Sequence, residues 1–219
     1  MDRLSDSERE LALHYAPREK RAVLRALWSL DEKMGGIVAS TGEPAIGEMR
    51  LLWWREALDA IGERVPAEPL LEEIAASLGG DAAAAGQWGA LAEGWHALLQ
   101  APIGEAELAR FARERGARLF GLSAAILDGS IAGLEQAGAG WALVDLAANI
   151  SDGALAGEAA AMAHAELQRL DIRRWPVRLR ALGALVALAR RDAAGDPRRR
   201  RQGAPGRVLR MVRHRLTGY

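Results

Sequence analysis

After Pro17 the apolar residues Val23, Leu24, Leu27, Trp28 and Leu30 recur at the spacing that gathers side chains onto one face of an α-helix. The pattern predicts a helix over 18 to about 34, which Gly35-Gly36 weakens or ends. Upstream, Ser5-x-x-Glu8 has the form of an N-terminal capping box. The next helix is expected from near Glu43-Pro44 to near Gly62 and carries two apolar stripes. Ile46, Met49, Trp53 and Ala57 form one, while Leu51, Trp54, Leu58 and Ile61 form the other, which predicts a position in the middle of a bundle. Further helices are expected over 70–78, 82–100, 105–127, 136–150 and 158–170, with Trp175-Pro176 opening another to about 191.

This periodicity divides the chain into a helical domain over 1–192, a solvated basic linker over 193–206 holding Arg198 to Arg201, and a C-terminal amphipathic helix within 207–219. The predicted fold class is all-α, a single-domain helical bundle. Composition agrees: half of the 219 residues are hydrophobic, good helix formers dominate, and the aromatics are seven Trp against two Tyr and two Phe.

The 29 basic and 29 acidic residues cancel, so no global field attracts nucleic acid and any basic patch is local. The absence of Cys excludes disulfides, thiolate zinc sites and a cysteine nucleophile, and fits a reducing compartment. Residues 1–8 are polar and acidic, and no run approaches the ~20 apolar residues of a membrane span. These features lead to the expectation of a cytoplasmic protein, soluble or peripheral on the inner face of the membrane. His14, His96, His164 and His214 have no spacing that suggests a metal site or a triad.

The segment Arg50-Leu51-Leu52-Trp53-Trp54-Arg55-Glu56-Ala57-Leu58 resembles the R-L-x-W-W-R-E-x-L helix of the squalene and phytoene synthase family of head-to-head prenyl transferases. Pro66-Ala67-Glu68-Pro69 is similar to that family's P-x-H-P, with Glu68 where histidine is usual, and Phe111 with Gly116 and Gly121 resembles its Y-x-x-A-G-x-x-G helix. The resemblance implies a bundle of the trans-isoprenyl synthase type around a central cavity. It also implies a magnesium-binding D-D-x-x-D cluster, and here those three positions are Gly35, Gly36 and Ala39. The second family cluster, D-x-x-x-D, falls on Ser151 and Leu155 or on Asp152 and Ala156, depending on the register after Gly140-Trp141-Ala142. Glycine and alanine offer no side-chain oxygen to magnesium, and the family's two facing carboxylate clusters are what neutralise the leaving diphosphate.

Several residues carry two readings. Trp53 and Trp54 line a prenyl cavity or belong to the core. Arg50 and Arg55 hold a phosphate, or Arg55 forms a helix pair with Asp59. Asp145 and Asp152, seven apart, share a helix face as a remnant acidic site, or Asp152 is a helix-end residue beside Gly153. Asp31 is a shifted metal ligand or a solvated charge. In the C-terminal helix, Val208, Leu209, Val212 and Leu216 share a face while Arg207, Arg210 and Arg213 can reach anionic headgroups, or the helix simply closes the bundle.

The loss of the aspartates points to a catalytically degenerate family member with no cofactor. It resembles the branch that includes the mitochondrial complex I assembly factor. The expected partners are an isoprenoid or quinone-like lipid, a membrane-complex subunit, and an anionic membrane surface met through the C-terminus. The alternative is an active prenyl transferase whose magnesium site has moved.

Overall fold

The computed structural model describes residues 3–219, and among these every regular element is helical. The first helix, α1 (Ser7–Leu13), is capped by Asp6, whose carboxylate accepts from the amides of Glu8 and Arg9. The expected Ser5–Glu8 capping box does not form, because Glu8 is turned inward to a distant arginine described below.

Helix α2 (Arg21–Ser40) runs straight through Gly35-Gly36 instead of ending there. Its buried stripe includes Leu24, Leu27, Trp28, Asp31, Met34 and Ile37, and tertiary burial outweighs the weak helix propensity of the two glycines. The helix ends where Ser40 and Thr41 turn their hydroxyls back to the carbonyls of Gly36 and Ile37.

Helix α3 (Pro44–Asp59) begins with proline in its first turn and buries Leu51, Trp54, Ala57 and Leu58. Of the other expected stripe, Ile46, Met49 and Trp53 are exposed and only Ala57 is buried, and Leu52 beside them is exposed as well. The helix is therefore an outer element of the bundle, packed on one side only.

After α4 (Pro69–Leu78), stopped by Gly79 at φ 62°, the helix expected over 82–100 is divided into α5 (Ala82–Gly89) and α6 (Ala92–His96). The next stretch is continuous but not uniform. Helix α7 (Glu105–Phe111) passes through a π-helical segment (Ala112–Ala117) into α8 (Arg118–Ile126). Gly94 of α6 permits that segment to lie close, since a Cβ there would sit 2.5 Å from the Arg115 amide nitrogen.

Helix α9 (Leu134–Asn149) is the central element, touching the π-helical segment, α8, α10 (Gly153–Gln168) and α11 (Arg180–Ala193). Its crossing with the π-helical segment is a glycine-on-glycine contact: a Cβ on Gly116 would lie 2.4 Å from the Gly138 carbonyl oxygen. The core around α9 is filled by Trp28, Phe111, Phe120 and Trp141. None of the described helices is long and apolar enough to cross a membrane.

Most residues of 193–206, expected to be a solvated linker, are exposed, but the segment is tied to the start of the chain. Gln202 donates to Asp6, and the Gly203 amide donates to Glu8. Helix α12 (Pro205–Thr217) then inserts Arg207 between Glu8 and Asp192, donating through Nε to Glu8 at 2.6 Å and through Nη2 to Glu8 at 2.8 Å and Asp192 at 2.9 Å. Arg207 is thus a buried tie between the chain's two ends and does not reach outward as the sequence pattern suggests.

Candidate functional site

The site grows from one buried carboxylate. Asp31, expected to be solvated, is fully buried on α2, where each oxygen is doubly used. Oδ1 accepts from Arg115 Nε at 2.8 Å and from Trp95 Nε1 at 3.0 Å; Oδ2 accepts from Arg115 Nη2 at 2.9 Å and from Arg9 Nη1 at 3.0 Å. A carboxylate without water is tolerable only when paired and hydrogen-bonded in this way.

Arg115 extends the network to α9, where its Nη2 donates to Asp145 Oδ2 at 2.9 Å. The other oxygen of Asp145 accepts from Arg200 Nη2 and Asn149 Nδ2, both at 3.1 Å. The Arg115 guanidinium lies over the rings of Trp95, Trp141 and Phe111, at 4.2, 5.0 and 5.2 Å from their centroids. It is carried on the π-helical segment, where the shift of register presents the side chain to both Asp31 and Asp145.

Burial by itself would raise both carboxyls. For Asp31 the charges of Arg115 and Arg9 outweigh it, and for Asp145 those of Arg115 and Arg200, so both are held below the usual carboxylate range. Arg115 shows the reciprocal effect: burial disfavours its charge, but Asp31 and Asp145 more than reverse this.

Beside the network is an open pocket of ≈ 830 Å³. Gly35, Gly36 and Ala39 of α2 line it together with Asp145 and Asn149 of α9 and Ser151 beyond that helix. The positions that the sequence resemblance assigned to the first cluster thus share a pocket with the end of α9. Of the alternatives for the second, Ser151 reaches the pocket, whereas Leu155 and Ala156 are buried in α10. Asp152 is the N-cap of α10, accepting from the Ala154 and Leu155 amides at 2.8 and 3.1 Å. Because α9 ends at Asn149, Asp145 and Asp152 do not share a helix face.

The α3 candidates lie elsewhere, and none of them lines the pocket. Trp54 is buried beneath Lys33, whose Nζ is 5.4 Å from the ring centroid. Trp53 is 46% exposed and meets Trp54 edge-on at 5.5 Å. Arg55 pairs with Glu93 instead of Asp59. Arg50 is exposed and makes no ion pair among the described residues.

The donor set does not fit magnesium, which takes oxygen ligands and would have to displace guanidinium groups from both Asp31 and Asp145. Gly35 cannot simply regain a carboxylate either: a Cβ there would lie 2.8 Å from the Trp95 ring. Among the described residues, no group of three or more His, Asp or Glu side chains is placed to hold a metal ion. Three guanidiniums, from Arg9, Arg115 and Arg200, stand beside the carboxylates and supply fixed positive charge.

Arg9, Trp95, Arg115 and Arg200 are the site residues that sequence reasoning missed. Arg200 is hidden in a run of arginines, and the partners of Arg115 lie 84 and 30 residues away. The one local signal was Arg115 itself, set among Ala112, Gly116 and Ala117, which leave room for a neighbouring helix to cover it.

The family model for squalene/phytoene synthase matches residues 3–143, more than half of the chain. The matched region holds Arg9, Asp31, Trp95, Arg115 and the Trp53-Trp54 helix, and stops short of Asp145. No curated protein and no solved structure matches the chain.

Proposed function

Because the chain belongs to the squalene/phytoene synthase family, we propose that it is a member that binds without transferring prenyl groups. It takes up an isoprenoid or quinone-like lipid or assists the assembly of a membrane complex, as in the branch that includes the mitochondrial complex I assembly factor. The observation that carries this reading is the saturation of Asp31 and Asp145 by Arg9, Arg115 and Arg200.

Prenyl condensation in this family expels diphosphate, whose charge must be neutralised as it forms. Among the described residues the pocket offers no surplus cation for that purpose. Its lining guanidiniums, Arg9, Arg115 and Arg200, are matched by the carboxylates of Asp6, Glu32 and Asp145. Glu32 is further engaged by the amides of Ser5 and Asp6. A ligand with an uncharged polar head suits this balance better than a diphosphate. Val38, Leu98, Ile103, Leu146 and Ile150 supply apolar wall for its hydrocarbon.

A subunit-binding role draws support from α3. Ile46, Met49 and Trp53 fall on one exposed stripe with Arg50 beside them, a composition enriched at protein interfaces.

Incubating the purified chain with labelled farnesyl or geranylgeranyl diphosphate and magnesium, then extracting products, tests the loss of transfer. No condensation is expected. Metal-dependent turnover would instead establish the alternative, an active transferase with a relocated site. Native mass spectrometry for a co-purified lipid tests the pocket reading directly.

A further inference from the structure

Helix α12 turns one arginine, Arg207, inward and its leucines outward. Arg207, Met211 and His214 face the bundle, at 6%, 0% and 2% exposure, whereas Leu209 and Leu216 are 69% and 73% exposed with Val212 between them at 40%. The inward face is taken by Arg207 because Glu8 and Asp192 neutralise it there. That leaves the aliphatic crest in water, the reverse of the usual arrangement in which a surface helix turns its apolar stripe to the core.

Alongside the crest runs a groove of ≈ 970 Å³ between α11, α12 and the chain before them. Arg173, Arg190, Arg191, Arg210 and Arg213 line it, and no Asp or Glu among the described residues does. Arg191, Arg210 and Arg213 have no ion pair among the described residues. Arg173 meets only Asp171, at 3.8 Å and largely in water, and Arg190 donates to the Leu170 carbonyl. In a chain of zero net charge this is a local excess of positive charge. Tyr219, 63% exposed, lies at the same groove.

We propose that this face docks on an anionic bilayer, with Leu209, Val212 and Leu216 entering the interface and the groove arginines meeting lipid phosphates. Two observations select a lipid surface over a protein partner. Leu209, Val212 and Leu216, three and four residues apart, form a line of exposed aliphatic side chains with Arg210 and Arg213 beside them, the arrangement of a helix lying in the plane of a membrane. Of the cations beside it, Arg191, Arg210 and Arg213 make no ion pair among the described residues, and they are spread along the groove, which suits many phosphates on a plane. The inference is independent of what the pocket between α2 and α9 holds.

Flotation of the full chain with phosphatidylcholine vesicles, with or without phosphatidylglycerol, tests it. Truncation is unsuitable, because removing the tail also removes Arg200 and Arg207 from their buried partners. Two double variants of exposed residues are used instead: Leu209→Ser with Leu216→Ser, and Arg210→Gln with Arg213→Gln. Binding is expected only with phosphatidylglycerol, weakening by about tenfold or more from low to high salt, and by a similar factor in each variant. Circular dichroism melts check that both variants remain folded; if the leucine pair unfolds, the arginine pair decides. Failure of the intact chain to float, equal binding to pure phosphatidylcholine, or unchanged binding by the folded variants would overturn the proposal. Crest-dependent self-association without vesicle binding would also overturn it, in favour of an interface between copies of the chain.

Discussion

Asp31 and Arg115, 84 residues apart in the chain, are joined by two hydrogen bonds of 2.8 and 2.9 Å at a point both side chains hide from water. This pair links α2 to the π-helical segment, and through Asp145 it reaches α9. It lies beside the pocket lined by Gly35, Gly36 and Ala39, where Arg9, Arg115 and Arg200 provide the positive charge next to Asp31 and Asp145.

Breaking this pair from one side should be costly. Asp31→Asn removes the carboxylate shared by buried Arg115 and Arg9 and leaves Arg115 only Asp145, and a loss of about 3–5 kcal/mol is expected. Urea unfolding of the two proteins measures it. A loss below about 1 kcal/mol, the range of exposed ion pairs, would show the network to be solvated.

The two glycines of α2 should respond in opposite directions. A Cβ at Gly35 would press on the Trp95 ring, whereas at Gly36 it meets nothing within 4 Å. Gly36→Ala should stabilise by about 0.5–1 kcal/mol through helix propensity, and Gly35→Ala should destabilise by about 1–3 kcal/mol through overpacking. Midpoints of chemical denaturation for the two variants suffice, and the same sign for both would contradict the packing described.

Adjacent tryptophans on α3 offer a similar contrast. Trp54 is 4% exposed and Trp53 46% exposed. Trp54→Ala should cost about 3–5 kcal/mol, the range for truncating a buried aromatic. Trp53→Ala should cost much less and, if α3 binds a partner, should weaken that binding instead. Thermal melts of both variants separate the roles; equal losses would place both rings in the core.

Acid should weaken the protein through His214. Burial between α11 and α12 pushes its imidazole from 6.5 down to about 4, so below the higher value the unfolded chain binds a proton that the folded chain refuses. Stability is then full above pH 6.5 and declines by about 3 kcal/mol as the pH falls to 4. Asp31 and Asp145 titrate below their ordinary 3.8 and lie outside this window. Unfolding free energies across the window, for the native chain and His214→Leu, test the assignment: the variant should lack this slope.

Apolar periodicity and composition were enough to read an all-α chain and most of its helices, because one-sided burial repeats every three or four residues and leaves a local record. The family was legible for a related reason: the Trp-Trp helix that carries the resemblance is a short contiguous string. Local pattern failed where several faces compete. Two apolar stripes on α3 could not say which faces the core, and Gly35-Gly36 looked like a stop until Trp95 was packed against Gly35. The site itself is long-range. Whether Asp31 is solvated or buried depends on Arg9, Trp95 and Arg115 arriving from three other segments, and whether Arg207 points out or in depends on Glu8, 199 residues earlier. Ion pairs of this kind have no periodicity, so tertiary structure alone decided which charges neutralise one another and, in α12, which apolar side chains were left in water.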